Sequence, residues 1–165
     1  MKNILIPMFA ATLLAGPAMA NTKTSKTFSG WQVECVENDK TKVKNCVMSQ
    51  TLINQKTKQR VVSVLVRKPK DEPYKLILQV PLGADLSAGV GLTIDTSAPV
   101  KVAYKTCMPK TCIAEFELTE AWAKALSGGT NATITVTGLK GESVPFKIAL
   151  KGFTDAYAWF AAEAP

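Results

Sequence analysis

The side chains with the most chemistry to offer are four cysteines, Cys35, Cys46, Cys107 and Cys112. Thiols can hold zinc, cycle between dithiol and disulfide, or crosslink a fold. A four-thiolate zinc site needs paired short spacings such as C-x2-C, which these positions lack. A redox-active C-x-x-C is missing too. An even cysteine count in an exported chain reads as a disulfide framework. Three pairings are open. Local geometry favours Cys35–Cys46, which brackets a hairpin, and Cys107–Cys112, which closes the short loop Met108-Pro109-Lys110-Thr111.

Other chemistry finds little to build on. The chain has no histidine, which removes histidine-based triads and histidine metal sites. Neither G-x-G-x-x-G nor a Walker pattern occurs in context, so Gly83, Gly89 and Gly91 read as turn glycines around Asp85. Glu115 and Glu117 could share acid–base work. They sit two apart on a strand, so both point to one face, expected to be the wet one. Glu34 and Asp95 are strand carboxylates with nothing to pair them. Serine and lysine are abundant, but no spacing singles out a dyad. The expectation is a protein that is not an enzyme and needs no cofactor or metal.

These residues must be carried by strands. Residues 21–27 are polar and read as a flexible lead-in. Alternation at 31–35 and again at 46–52 predicts a hairpin across a polar loop. Strands follow at 60–67, 74–80, 92–95, 99–104 and 113–118. A last pair at 132–137 and 143–150 is joined by the glycine-bearing connection 138–142. Thr119 can cap a helix over 120–126, with Gly128 at its stop. A second helix is predicted over 154–163, capped by Thr154, with Asp155 in its first turn and Phe153, Tyr157 and Phe160 packing together. The fold class is therefore mainly β: an antiparallel sandwich or partly closed barrel with two short helices, stapled by disulfides.

Residues 1–20 read as a cleavable secretory signal peptide. Lys2 gives the positive start, residues 4–16 the apolar stretch, and Ala18-Met19-Ala20 the small-x-small cleavage site. The apolar run is short for a span, which takes about 20 residues. Residues 21–165 form one domain, long enough for its own core. The net charge of +7 falls to +6 without Lys2. Local basic excess lies at Lys40-Lys42-Lys44, Lys56-Lys58-Arg60 and Arg67-Lys68-Lys70. Such charge speaks to solubility and association. No nucleic-acid motif accompanies it. Trp31 reads as a core or sheet-edge anchor, and Trp159 as an exposed contact for a partner.

Several segments, taken in order, resemble the invasion-associated locus B family of exported bacterial proteins. They are Gly30-Trp31-Gln32-Val33-Glu34-Cys35, Cys46-Val47-Met48-Ser49-Gln50 and Leu78-Gln79-Val80-Pro81-Leu82-Gly83. Cys107-Met108-Pro109-Lys110-Thr111-Cys112 and Ile148-Ala149-Leu150-Lys151-Gly152-Phe153 complete the set. The family often has glycine before the fourth cysteine, where this chain has Thr111, which bears on the turn there. The resemblance implies a disulfide-bearing β-sandwich, a periplasmic or secreted location and a link to host-cell invasion. It supplies no catalytic residues. The expected partner is a protein of the host surface or of the bacterial envelope. The family also occurs in bacteria without an invasive habit. The second expectation is thus a periplasmic accessory or chaperone-like module, working through an exposed strand edge.

Overall fold

Alternation of apolar and polar residues puts Trp31, Val33 and Cys35 on one face of a strand and Gln32 and Glu34 on the other. The same period recurs through the chain. In a computed structural model describing residues 21–164, it builds two antiparallel sheets packed over one core. The predicted signal peptide lies outside the described residues.

The larger, seven-stranded sheet runs in the order β1 (Thr22–Phe28), β2 (Trp31–Glu37), β3 (Lys44–Ile53), β4 (Arg60–Arg67), β5 (Lys75–Val80), β9 (Thr111–Glu117), β8 (Tyr104–Met108). The smaller, four-stranded sheet runs β11 (Ser143–Ala149), β10 (Asn131–Thr137), β6 (Val90–Ile94), β7 (Val100–Val102). Neither sheet closes on itself, so the architecture is the sandwich rather than the barrel. Helix α1 (Glu120–Gly128) links β9 to β10, and α2 (Phe153–Glu163) lies against β1, β2 and β3. The core between the layers is filled by Met48, Val64, Leu78, Leu92, Ile134 and their neighbours.

Three strand and loop expectations needed correction. Residues 21–27 are not a flexible lead-in: Thr22 to Phe28 pair residue by residue with Glu37 to Trp31. Polar β-branched threonines suit an edge strand, where composition alone suggests a loop. The strand expected at 99–104 is two strands. The chain leaves the small sheet after Val102 and enters the large one at Tyr104, so the alternation reads through a change of layer. The loop around Met108 to Thr111 is a tight hairpin, with Met108 facing Thr111 across Pro109 and Lys110.

The helices divide. Thr119 caps α1 as expected, its hydroxyl accepting from the Trp122 N–H. Thr154 does not cap α2. The cap position is Gly152 at φ +87°, and the Thr154 hydroxyl instead donates to the Ser127 carbonyl. A Cβ on Gly152 would sit 2.4 Å from the Phe28 carbonyl oxygen, so glycine is what lets α2 start hard against β1.

Candidate interaction surface

The four cysteines pair as the spacing favours. Cys35 faces Cys46 across β2 and β3, and Cys107 faces Cys112 across β8 and β9. Both pairs are directly opposed, with Cα atoms 4.0 Å apart. Cys35 and Cys46 are buried on the core face, whereas Cys107 is exposed on the outermost strand. Thr111, in the place of the family's glycine, is buried and donates its hydroxyl to the Val80 carbonyl at 2.8 Å.

Trp31 is fully buried. It meets Phe153 edge-on at 5.1 Å, and its indole N–H donates to the Ala149 carbonyl at 3.3 Å. A Cβ on Gly30 would lie 2.5 Å from the Gln50 amide nitrogen. Three of the five sequence segments that carry the resemblance therefore converge on one packed knot, which is structural. Trp159 is half-buried, with its ring 6.5 Å from Phe28. It is less open than expected and borders the β1 edge.

The carboxylates do not assemble. Glu115 pairs with Lys105 and is half-buried, so its face is drier than expected. Glu34 pairs with Lys23 at 2.9 Å. Asp95 accepts the backbone N–H groups of Thr130 and Asn131 at 2.9 and 2.8 Å, which hold its pKa below the usual carboxylate value. Asp85 is lowered first by the Ser87 hydroxyl at 2.7 Å and then by the Ser87 N–H. Among the described residues the buried Tyr104 hydroxyl has no hydrogen-bond partner. Burial, and then the Asp85 charge, pushes its pKa up. Among the described residues, no three Cys, Asp or Glu side chains are gathered to hold a metal.

Charge is redistributed by folding. Two of the basic segments meet at one end of the large sheet, where Lys42, Lys44, Lys68 and Lys70 line a groove of about 580 Å³ with Asp71 and Glu72. Lys42 pairs with Glu37 and Lys44 with Glu163, so the groove is largely an ion-paired surface.

The sheet edges are the remaining reactive backbone. An edge strand offers unpaired N–H and C=O groups to another chain. Edge strand β7 has three residues, β8 carries a register irregularity between Tyr104 and Thr106, and β11 contains Pro145. Short length, a bulge and proline all blunt an edge. β11 is as long as β1 and in unbroken register but carries Pro145, whereas among the described residues β1 is a long edge with neither a register break nor a proline. The Ser29-Gly30 turn before Trp31 was the sequence signal that could have revealed it.

The fold and its segments can be set beside known proteins. The family model described as invasion associated locus B (IalB) protein matches residues 31–161. The chain belongs to the invasion-associated locus B family. Two relatives called invasion protein B homologs, from Brucella abortus strain 2308 and Brucella abortus biovar 1 strain 9-941, are each 36% identical over 146 residues. Each match covers 88% of this chain and 81% of the relative. The crystal structure of invasion associated protein B from Bartonella henselae superposes with a TM-score of 0.73 at 24% identity, covering 84% of this chain and 95% of that one. That likeness is one of fold. Within the locus B family frame, the match spans both disulfides and the Trp31 knot and begins after β1.

Proposed function

We propose that this chain is exported, with residues 1–20 removed, and acts outside the cytoplasm as a non-enzymatic protein that binds a protein partner in host-cell invasion. The observation that carries the reading is the oxidised state of all four cysteines, each in a cross-strand disulfide. Such crosslinks persist in oxidising compartments and are rare in reducing ones. The names of the Brucella and Bartonella relatives support the link to invasion. Among the described residues no helix is long and apolar enough to cross a membrane. The reading invokes no cofactor, metal or nucleic acid.

The second reading is a periplasmic accessory or chaperone-like module for envelope proteins. The open β1 edge favours it, because strand addition is a general way to hold an extended chain.

Protease treatment of intact cells against cells with a permeabilised outer membrane, with culture supernatant assayed alongside, separates the two. Digestion in intact cells, or abundant secreted protein, is the result expected for host contact. Protection until permeabilisation supports the accessory reading and rules against a direct adhesin. Recovery of the chain in the cytoplasm with reduced cysteines would overturn both.

A further inference from the structure

We infer that β1 is a strand-addition site for an extended segment of a partner protein, read as an apolar residue followed two positions later by an acidic one. The inference rests on the partner-binding reading above and specifies where and what this chain binds.

The backbone sets the site. Phe28 and Trp31 flank the two-residue turn Ser29-Gly30 and close the β1–β2 hairpin. The closing pair of such a turn shares its hydrogen bond. Opposed residues alternate between bonded and non-bonded pairs along an antiparallel ladder. Phe28, Lys26 and Thr24 therefore spend their backbone groups on β2, and Thr27, Ser25 and Lys23 aim theirs at the free side. Every residue of β1 before Phe28 is exposed.

The side chains set the preference. Lys26 and Phe28 lie on the core-side face of β1, opposite Val33 and Trp31. Lys26 makes no ion pair among the described residues; its ammonium sits 5.1 Å from the Phe28 ring. Lys23 on the opposite face is already matched by Glu34. An incoming carboxylate thus has one unmatched cation to meet on this strand. Two residues along, Phe28 and the half-buried Trp159 of α2 make an apolar shelf. The sheet is antiparallel throughout. An added antiparallel strand meets Phe28 first and Lys26 second, which gives the order apolar-x-acidic. The net charge of +6 left once Lys2 is removed with residues 1–20 adds a general attraction for acidic segments.

The test uses the disulfide-bonded chain and a labelled threonine/valine-rich peptide carrying a single Leu-x-Asp step, with its Leu-x-Lys counterpart as control. Fluorescence anisotropy reads affinity, and hydrogen exchange reads location. Expected is slowed exchange at Lys23, Ser25 and Thr27 and at no other edge. Lys26→Glu, at an exposed position, should weaken the Asp peptide by about five- to tenfold and favour the Lys peptide. Ser25→Pro removes an outward N–H that β2 does not use. It should abolish binding while leaving the thermal melt near wild type, since proline is tolerated on an edge. The inference is overturned by any of four results: no binding by the Asp peptide, equal binding by both variants, protection on β8 or β11, or protection that rises with protein concentration alone. The last would make a second copy the occupant. In-cell crosslinking keeps the two levels apart. A partner captured equally by wild type and Ser25→Pro leaves the binding reading standing and removes β1 as its site.

Discussion

The two disulfide hairpins are built alike and live differently. Each joins directly opposed cysteines in neighbouring antiparallel strands. Cys35–Cys46 lies on the core face beneath α2, with Trp31 and Phe153 nearby in the same layer. Cys107–Cys112 sits at the far edge of the sheet, with Cys107 in solvent and Met108 exposed beside it. Cross-strand geometry therefore does not decide what a staple is for. What covers it does: one crosslink has both cysteines in the packed core, and the other ties the buried Cys112 to the exposed Cys107 at an edge hairpin.

Breaking the covered region should cost most. Trp31→Ala removes a fully buried indole and its hydrogen bond to Ala149, and denaturant unfolding should show a loss of about 3–5 kcal/mol. Met108→Ala at the uncovered hairpin should fall within about 0.5 kcal/mol of wild type. Equal losses would end the distinction between the two regions.

The crosslinks sharpen it next. Replacing Cys35 and Cys46 together by serine should cost about 2–4 kcal/mol, and replacing Cys107 and Cys112 should cost less. The second loop is shorter, with 5 residues of separation against 11, and only Cys112 of that pair lies in the core, whereas Cys35 and Cys46 both do. Either double variant should still fold at room temperature, because the core persists. Mild reduction of the native protein, followed by alkylation and peptide mapping, should open Cys107–Cys112 first. Prior opening of Cys35–Cys46 would show that α2 does not shield it.

Gly152→Ala probes how α2 is seated. The left-handed φ and the 2.4 Å approach to Phe28 both oppose a side chain. A loss of about 2 kcal/mol is expected from calorimetry, with weaker near-ultraviolet signal from the Trp31 environment. A small effect should come from Asp95, just past β6 of the smaller sheet. Its pKa is lowered in the fold by the Thr130 and Asn131 N–H groups, so its contribution is present above the unfolded carboxylate pKa and is lost as pH falls through the folded one. Asp95→Asn tolerates the residue's φ of +49° and removes the charge. It should melt below wild type at neutral pH, and the gap should close on acidification. A gap independent of pH would assign the effect to side-chain shape.

Much of the fold was legible because period-2 alternation is strong where one face is buried, as in β2 and β10. The cysteine pairing was legible for the same reason, since alternation already set Cys35 and Cys46 on facing strands. β1 was not, because both its faces are polar and its partner supplies the order. The layer change at Ala103 left no local mark, as an alternating strand continues through it. Thr154 looked like a cap by type and place, but the chain enters α2 through a left-handed glycine, a choice dictated by the backbone of Phe28 some distance away in sequence. The interaction surface was least legible, because an edge is defined by what fails to pair beside it.

The Trp31 indole bonds to a carbonyl 118 residues further along the chain, and Phe153 comes later still. That separation has a consequence in time. A chain that leaves a ribosome or a pore with its N-terminus first can form the β1–β2–β3–β4–β5 meander early, from short-range pairings. Closing such a long loop is slow and must precede any gain from the contacts it makes. The first large core residue to emerge is thus among the last to be buried, and until the final helix arrives the sheet must wait with its inner face open.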